Sequence, residues 1–517
     1  MMRVLVRVDA SSLLGAGHVI RCLALAGELK RRGHPVVFVM RPLAGHLMTE
    51  TRAAGFEVLA LPGLQLSGSG SQIDWIEMAR SLDVQRLDAS ETLALLPHRF
   101  WDWMLVDHYA LGLEWQRAMV GVAQKLLAVE DQADRPLRCD ILLNQNAGAT
   151  VTRYADLIPS GCLSLMGPHY ALLRPEFSET VNAAPRRGQV SAAPRVLVSL
   201  GGADPHGLAL QVLQALADCG LRGRDVTLVA GVQNPHAQAL QQRCQALGYI
   251  FCKSTQAMAQ LMAQADWAVG AGGVSLLERC AMGLPSITLP IASNQQPGVA
   301  AAQARGAVLA IDPLAPGFAI HLREAIQDFL ATPERLQAMT QAALGVCDGK
   351  GAARVADALQ VGALALRAAT LDDAAALHAW RNAPETRVHS GDGLAITLEQ
   401  HQQWMQGVMA SPAQRLWIAF AASGPIGVLR FDSSPYGTGT TAEISVYRVP
   451  GQPGRGWGRA LIARGVQEAQ HAWPSLMRVD ARISSDNLAS LGAFTACGFE
   501  ASAAHGLYQK NIERPRS

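Results

Sequence analysis

Apolar runs and helix-periodic segments alternate along the first two-thirds of the chain. The apolar run at residues 3–9 is followed by a helical pattern that ends at Gly33, and a second run covers residues 35–40. Short continuous apolar runs between helical segments are typical of strands buried in a parallel sheet. Residues 103–109 and 125–131 repeat this theme, each as a buried strand that ends in acidic residues. The alternation predicts a doubly wound α/β sheet.

The pattern stops at residues 182–195, a stretch rich in Pro, Ala, Gly and Arg that predicts a linker. It then restarts, with strands at residues 196–199 and 226–231 and a strand, glycine turn, helix and strand between Trp267 and Ile291. Two similar halves joined by a linker predict two Rossmann-like domains, at residues 1–182 and 183–360, with a ligand cleft at the carboxyl ends of their strands.

A different pattern follows a second break at residues 349–366. A strand and a helix lead to a predicted hairpin that turns at residues 423–425, then to another strand and a glycine-rich loop that enters a helix. This order predicts a mixed α+β domain at residues 361–517. The length of 517 residues agrees with about three domains of ~150 residues each.

The composition excludes several function classes. The net charge of +2 and the aromatic content of 5% argue against a nucleic-acid partner. The nine cysteines lack the paired spacing of a zinc site, and an odd, scattered set fits a reduced chain. The N-terminal apolar run is too short for a signal peptide, and no run reaches the ~18 residues that a membrane helix needs. We therefore expect a cytoplasmic protein with no metal and no membrane partner; its oligomeric state is not predicted.

The first glycine turn carries a histidine. Gly15 and Gly17 allow a tight turn close to a ligand, and the helix that starts near His18 directs free N–H groups toward an anion. A histidine there can take a proton from water, although a simple capping role is the open alternative. A nicotinamide-binding motif is weak, because Ile20 replaces its last glycine and Met40 replaces the acid after the next strand.

A second glycine turn opens at Gly270. Gly273 lies at the start of a helix that carries Glu278, and a carboxylate there suits the two hydroxyls of a ribose. Asn294 and Gln295 follow the next strand, where their amides can bridge a diphosphate or a sugar. A solvated helix face for Glu278 and a turn position for Asn294 remain alternatives, as does a plain tight turn for the third glycine segment, residues 200–205.

Six segments in this order carry a resemblance: GAGHVIRCLALA, VDHY, LLNQN, YALLRPEF, SLGGADP and GAGGVSLLERCAMGLPSITLPIASNQ. Together they resemble the UDP-sugar hydrolase of pseudaminic acid biosynthesis over roughly residues 1 to 360. The resemblance implies a GT-B fold and cleavage of UDP from UDP-2,4-diacetamido-2,4,6-trideoxy-β-L-altropyranose, without a metal.

The resemblance also implies site residues. His18 matches the catalytic histidine of the family, which activates the attacking water, and the anomeric carbon is inverted. The matching motifs imply these substrate contacts: Gly17, Tyr109, Arg174, Gly273, Glu278 and Asn294. A strand-capping role for Tyr109 and a surface ion pair for Arg174 are alternatives. Asp107 is expected to orient a partner, and His108 is expected to be structural.

The glycine-rich loop at residues 449–466 resembles the pyrophosphate loop of GNAT acetyltransferases, in which backbone amides hold coenzyme A. Pro453 stands where the family has Gln or Arg. The segment SSDNLASLGAFTACGFE resembles the GNAT ending. These matches imply acetyl-CoA as cosubstrate, bound by Arg455, Gly456, Gly458, Arg459 and Asn487. The motif at residues 379–382 resembles acetyltransferases of the same sugar pathway, but also those of ribosomal proteins.

Phe494 stands where many GNAT enzymes have a tyrosine that protonates the leaving thiolate. Tyr508 is the candidate replacement, and Glu443 is the candidate proton relay for the amine. A packed strand position for Tyr508 and a surface position for Glu443 are the alternatives.

These matches predict a bifunctional enzyme that acetylates a UDP-4-amino sugar and then hydrolyses the product to free sugar and UDP. The resemblance places the product in a nonulosonic acid pathway that decorates flagellin or surface polysaccharide. A GT-B glycosyltransferase fused to a protein N-acetyltransferase, or to a non-catalytic GNAT module, is the alternative.

Overall fold

The computed structural model of the chain describes residues 1–11, 14–63, 80–96, 100–180, 194–201, 204, 206–231, 234–253, 255, 257–389, 393–433 and 440–512. The described residues divide into two compact units. The larger unit contains residues 4–28 and 36–355, and the smaller unit contains residues 1–3, 29–35 and 356–517. The predicted linker at residues 182–195 lies almost wholly outside the described residues.

The buried apolar runs at the start of the chain form the first sheet of the larger unit. Its strands are β1 (Val4–Val8), β2 (Val36–Met40), β3 (Glu57–Ala60), β4 (Trp101–Asp107), β5 (Ala123–Val129), β6 (Ile141–Asn144) and β7 (Leu163–Met166). They are parallel in the order β3-β2-β1-β4-β5-β6-β7. The order reverses between β1 and β4, and in such sheets ligands bind at the carboxyl ends of the strands at that point.

The second sheet of the larger unit repeats this order. Its strands are β8 (Val196–Ser199), β9 (Val226–Ala230), β10 (Ile250–Lys253), β11 (Trp267–Ala271), β12 (Ser286–Leu289) and β13 (Leu309–Ala310). They are parallel in the order β10-β9-β8-β11-β12-β13. Two parallel sheets with intervening helices confirm the α/β class expected for the first two-thirds of the chain. The exact limits of the two predicted domains stay predictions.

Helices connect these strands. They are α1 (Gly17–Arg31), α2 (Met48–Ala53), α3 (Leu82–Ala94), α4 (Leu113–Ala118), α5 (Glu176–Glu179), α6 (Leu208–Asp218), α7 (Ala237–Leu247), α8 (Met258–Gln264), α9 (Val274–Ala281), α10 (Gln296–Ala304), α11 (Phe318–Ala331), α12 (Pro333–Val346) and α13 (Gly351–Ala363). The third glycine segment leads to α6, where the Asp204 carboxylate accepts hydrogen bonds from the backbone N–H groups of Leu208 and Ala209 at 3.0 and 2.9 Å. This is the usual way to satisfy N–H groups at a helix start.

The predicted break at residues 349–366 is mostly helical. Helix α13 covers Gly351–Ala363. Along the sequence, the larger unit ends within this helix at Val355, and the smaller unit continues from the next residue. The segment lacks proline and places alanine, valine and leucine at helical spacing, so it has both the propensity and an apolar face for a helix.

The smaller unit is built on one mixed sheet. Its strands are β14 (Ala365–Ala368), β15 (Gln414–Ala421), β16 (Gly424–Ser433), β17 (Thr441–Arg448), β18 (Arg478–Arg482), β19 (Glu500–Ala501) and β20 (Leu507–Asn511). Its helices are α14 (Ala374–Asn382), α15 (Pro384–Arg387), α16 (Leu398–Ala410), α17 (Trp457–Ala472) and α18 (Leu488–Ala496). Strands β15 and β16 form the predicted hairpin, and the glycine-rich loop enters α17 as predicted.

Strands β17 and β18 are parallel neighbours that separate along their length. Residues 441–443 of β17 pair with residues 478–480 of β18, and no pair follows among the described residues. The other neighbours in this sheet are antiparallel. The sheet therefore opens beyond Glu443, and this opening holds the cavity described below. Among the helices that the structure describes, none is long and apolar enough to cross a membrane.

Candidate functional site

His18 lies in the first turn of α1, beside the point where the order of the first sheet reverses. The residue is 6% exposed, and its Nδ1 atom lies 2.5 Å from Oδ1 of Asp107. Asp107 ends β4 and pairs with Val8 at the end of β1, so the sheet order brings both residues to the same edge. A carboxylate only accepts hydrogen bonds, so Nδ1 carries the proton. In the neutral imidazole, the lone pair then lies on Nε2.

Arg21 completes this arrangement one helical turn after His18. Its Nε and Nη2 atoms donate to the two oxygens of Asp107, both at 2.6 Å, and Nη2 lies 3.1 Å from Nδ1 of His18. Burial alone would raise the pKa of Asp107, but the charges of Arg21 and His18 and their hydrogen bonds bring that pKa below its ordinary value. Asp107 is therefore an anion that holds the histidine in one orientation.

Tyr109 lies beside this pair. Its ring meets the His18 ring edge-on, with the centroids 4.5 Å apart, and its hydroxyl accepts a hydrogen bond from Nδ2 of Asn294 at 3.4 Å. Burial, together with the negative charge of Asp131, raises the pKa of Tyr109 to about 12, so its phenol keeps its proton at neutral pH. The structure thus brings together three of the sequence-predicted residues, one of them from the second half of the larger unit.

Sequence reasoning missed Arg21, Asp131 and Asn146 as site residues. Asp131 follows β5; its Oδ2 accepts a hydrogen bond from Nδ2 of Asn146 at 3.2 Å and lies 3.7 Å from Nη1 of Arg21. Its other oxygen is buried and has no hydrogen-bond partner among the described residues. The sequence did contain signals for two of these residues. Asp131 follows a buried strand, and Arg21 follows His18 at helical spacing.

His108, the residue between Asp107 and Tyr109, points elsewhere. Its Nδ1 accepts a hydrogen bond from the backbone N–H of Ala110 at 3.1 Å, and its Nε2 lies 3.5 Å from Asp9. Asp9 in turn forms an ion pair with buried Arg7 at 2.7 Å. These contacts suit the structural role expected for His108.

The second glycine turn begins α9. Gly273 is the residue before the helix, and Glu278 follows on its second turn. Burial raises the pKa of Glu278 to about 7, even though the charges of Arg174 and Arg279 act to lower it. The Glu278 carboxylate makes no hydrogen bond within the part of the chain that the structure describes. A partly buried carboxylate of this kind can accept two hydroxyl donors of a ligand.

Two arginines surround this carboxylate in different ways. Arg174 forms an ion pair with Glu176 at 2.8 Å and lies over the Phe177 ring. Arg279 is buried and donates to the carbonyl of Ala271 at 2.8 Å, where it occupies the space beside Gly270. Arg174, which the sequence singled out, therefore keeps a partly exposed guanidinium, whereas Arg279 supports the turn itself.

Gln295 shapes the loop that carries Asn294. Its Oε1 atom accepts hydrogen bonds from the backbone N–H groups of Gly272 and Ile291, both at 3.1 Å. One side chain thus binds both the glycine turn and the segment after β12. The neighbouring Asn294 side chain instead donates to the Tyr109 hydroxyl. Gln295 was expected to offer its amide to a ligand together with Asn294, whereas its Oε1 atom supports the turn instead.

The opening between β17 and β18 in the smaller unit holds a cavity of about 1240 Å³. The predicted residues Glu443, Gly458 and Asn487 line it, as does Phe494. Glu443 is half-exposed and accepts a hydrogen bond from Arg482 at 3.3 Å. Tyr508 lies in β20 opposite Ala481 and is not among the described residues that line the cavity.

The predicted coenzyme A residues lie at the starts of two helices, α17 and α18. Gly456 precedes the helix with φ of 86°, which favours glycine, and Gly458 is in its first turn. Asn487 caps α18, where its side chain accepts a hydrogen bond from the N–H of Ser490. Arg459 lies 3.2 Å from Asp357, so its charge is already paired.

The charged side chains that line the cavity are mostly positive. Among the described residues, the arginines that line it are Arg381, Arg430, Arg448 and Arg482, and the carboxylates are Glu385 and Glu443. Nη1 of Arg381 is buried without a hydrogen-bond partner within the described chain. His401 is 3% exposed, stacks on Trp404 and has no such partner at either ring nitrogen. Burial, with nearby His378 and Arg381, lowers the pKa of His401.

Comparisons with known proteins agree with this division. The model of the acetyltransferase (GNAT) domain matches residues 363–500. The spore coat polysaccharide biosynthesis protein SpsG of Bacillus subtilis is 31% identical over 365 residues, which is 69% of this chain and 98% of its own. The UDP-2,4-diacetamido-2,4,6-trideoxy-β-L-altropyranose hydrolase of Campylobacter jejuni subsp. jejuni serotype O:2 is 27% identical over 241 residues, which is 46% of this chain and 73% of the relative.

Among solved structures, MurG of Acinetobacter baumannii aligns with 70% of this chain and 99% of its own, at 14% identity and a TM-score of 0.46. The N-terminal homology to the pseudaminic-pathway hydrolase confirms the resemblance drawn from the sequence motifs, as does the match of the GNAT model to the C-terminal region. The chain belongs to the family of the spore coat polysaccharide biosynthesis protein SpsG, and it also carries a C-terminal GNAT acetyltransferase domain.

Proposed function

We propose that the chain is a bifunctional enzyme of nucleotide-sugar metabolism. The larger unit hydrolyses UDP-2,4-diacetamido-2,4,6-trideoxy-β-L-altropyranose to free sugar and UDP, and the GNAT domain transfers the acetyl group of acetyl-CoA to the UDP-4-amino sugar that precedes it. The homology to the Campylobacter hydrolase supports the first activity, and the GNAT match supports the second. Both activities would operate in the cytoplasm, and neither requires a metal.

The observation that carries the hydrolase proposal is the contact between His18 and Asp107. With its proton on Nδ1, His18 offers Nε2 as a general base. Nε2 takes a proton from water while the water oxygen attacks the anomeric carbon. The bond from that carbon to the UDP oxygen breaks, and its electron pair leaves with UDP. Attack opposite UDP inverts the anomeric centre, and Asp107 stabilises the imidazolium that forms.

The remaining residues of the larger unit hold the nucleotide sugar. The helix that starts at Gly17 and the one that follows Gly273 direct N–H groups toward the diphosphate. Glu278 accepts the ribose hydroxyls, and Tyr109 and Asn294 contact the sugar. Arg174 supplies a cation next to this pocket. These roles follow from the family motifs and agree with the positions described above.

In the acetyl transfer, the amine nitrogen attacks the thioester carbon, the carbon–sulfur bond breaks and coenzyme A leaves as its thiolate. Glu443 relays the proton lost by the amine. Tyr508 stays the predicted acid for the thiolate, but Tyr447 is the alternative that the cavity favours, because it lines the opening. The arginine-rich lining supports an anionic acceptor, such as a nucleotide sugar, over a polyamine.

Acetylation precedes hydrolysis, because the product of the first reaction is the substrate of the second. Joining the two activities in one chain raises the local concentration of the intermediate. The free sugar would then enter nonulosonic acid synthesis.

The test uses the purified full-length chain and the UDP-4-amino sugar, with and without acetyl-CoA, and follows acetylation and UDP release by NMR. We expect the wild-type chain to acetylate the sugar and then release UDP with no other acceptor. The His18→Ala variant should acetylate normally and accumulate the UDP-diacetamido sugar. His46→Ala is the matched control, since His46 caps the backbone N–H of Met48 and lies outside the site.

Each alternative has its own result. UDP release only after addition of a saccharide or lipid acceptor would identify a glycosyltransferase instead. Acetylation of peptides but not of the amino sugar would identify a protein N-acetyltransferase. Binding of acetyl-CoA without turnover on either would identify a non-catalytic module.

A further inference from the structure

The glycine loop before α17 is held by two residues that lie far away in the sequence. The backbone N–H of Arg455 donates to the carbonyl of Arg32 at 2.8 Å, and Nε2 of Gln360 donates to the carbonyl of Arg455 at 2.8 Å. All three residues belong to the smaller unit, which includes residues 29–35. Both backbone polar groups of Arg455 are therefore engaged by protein.

The two supporting side chains are buried and bound to each other. Arg32 is 4% exposed and Gln360 is fully buried. Nη1 of Arg32 donates to Oε1 of Gln360 at 2.7 Å and to Asp357 at 2.6 Å. The other oxygen of Asp357 lies 3.2 Å from Arg459, in the first turn of α17. A charge-assisted network of this kind is rigid, because each buried polar group has a fixed partner.

The loop packs so tightly against this network that two of its glycines have little space for a Cβ atom. A Cβ atom on Gly456 would lie 2.3 Å from Oε1 of Gln360 and 3.1 Å from Nη1 of Arg32. A Cβ on Gly454 would lie 3.3 Å from the carbonyl oxygen of Arg32. The loop conformation is thus set by its supports as well as by its glycines.

The same loop determines where the first N–H groups of α17 point. The N–H groups of Trp457, Gly458 and Arg459 have no intrahelical acceptor, and Gly458 lines the cavity. We propose that Arg32 and Gln360 are positioning residues for acetyl-CoA: they hold the Arg455 peptide so that these N–H groups face the pyrophosphate. This inference rests on the proposed acetyltransferase function, and it assigns part of the cofactor site to residues outside the matched GNAT segment.

The test measures the Kd of acetyl-CoA by calorimetry on the full-length wild type and two variants. Gln360→Glu still accepts from Arg32 but cannot donate to the Arg455 carbonyl, and Arg32→Ala removes the side-chain network. We expect each variant to raise the Kd roughly tenfold, as for the loss of one buried hydrogen bond. In acetyl transfer, KM for acetyl-CoA should rise while kcat and the KM of the amino sugar stay within twofold.

Arg464→Ala is the matched control, because Arg464 pairs with Glu468 on α17 and does not touch the loop. A purely structural role would lower the melting temperature and the active fraction but leave the Kd of the folded protein unchanged. If both variants bind acetyl-CoA as the wild type does, the positioning role is wrong and the acetyltransferase proposal stands. If the wild type itself binds no acetyl-CoA, both proposals fail.

Discussion

The hydroxyl of Tyr109 accepts a hydrogen bond from Nδ2 of Asn294, 185 positions later in the chain, at 3.4 Å. Tyr109 follows β4 in the first sheet, and Asn294 follows β12 in the second. The same tyrosine ring contacts His18 edge-on. The base proposed for hydrolysis and a predicted nucleotide-side residue are therefore linked through one side chain.

Replacing Tyr109 by Phe tests this link. The variant keeps the ring against His18 but removes the hydrogen bond to Asn294. We expect KM for the UDP-diacetamido sugar to rise about fivefold, which corresponds to about 1 kcal/mol for one hydrogen bond, with kcat nearly unchanged. Steady-state UDP release measures both constants. Tyr170→Phe is the control and should have the wild-type KM and kcat. An equal rise of KM in this control would contradict a specific role for the Tyr109 hydroxyl.

Replacing Asp107 by Asn tests how His18 is oriented. An amide can present its NH₂ group to Nδ1 and so favour the tautomer that carries the proton on Nε2. We expect kcat for UDP release to fall by roughly 10²–10⁴-fold, because that tautomer cannot act as the base. Asp140→Asn is the matched control, since Asp140 binds the N–H of Leu126 at the amino end of the strands. A kcat within threefold of the wild type in Asp107→Asn would contradict the mechanism.

The binding of uridine should depend on pH through Glu278. The pKa of this carboxyl is raised by burial to about 7, so the carboxylate that accepts ribose hydroxyls forms mainly above that pH. We expect the Kd of uridine to fall roughly tenfold between pH 6 and pH 8, following the ionised fraction. Uridine is used because UDP itself titrates in this range. Titration by NMR at several pH values measures the effect.

The Glu278→Gln variant supplies the control and a stability test. Its uridine Kd should not change between pH 6 and pH 8. In the wild type, a folded pKa above the ordinary value of 4.5 means that stability is lost as pH rises from about 4.5 through 7. The variant should therefore melt at a higher temperature than the wild type at pH 8 and at nearly the same temperature at pH 4.5. The opposite order would show that the carboxylate is stabilised in the fold.

Adding a methyl group to Gly456 should disrupt acetyl-CoA binding. Gly456→Ala strains a positive φ and places a carbon against Gln360. Gly424→Ala is the matched control, since Gly424 also has a positive φ but has open space around it. The positive φ costs about 1–2 kcal/mol of strain in both variants. Only Gly456→Ala should also lose at least tenfold in acetyl-CoA affinity. Calorimetry measures the affinity of each variant for acetyl-CoA. Equal affinities of Gly456→Ala and Gly424→Ala would show that the glycine loop is not part of the cofactor site.

Local patterns predicted strands such as β1, β2, β4 and β5 and the helices that follow the glycine turns, because apolar runs and glycine turns act within a few residues. The position of His18 at a helix start was also local. Its contact with Asp107 depends on β4 lying beside β1, and no local pattern gives that order. Arg32 and Gln360 lie more than 90 residues from Arg455 in the sequence. Their hydrogen bonds to the loop therefore could not be predicted from a local pattern and are seen only in the three-dimensional structure.

Within the part of the chain that the structure describes, the separation of β17 from β18 leaves one side of β17 without a neighbouring strand beyond Glu443. Its peptide N–H and C=O groups on that side recur at the spacing of a strand, along the wall of the cavity. An extended ligand with amide groups can form hydrogen bonds with such an edge in the way that a neighbouring strand does. The open edge therefore adds a row of backbone hydrogen-bonding groups to the side chains that line the cavity.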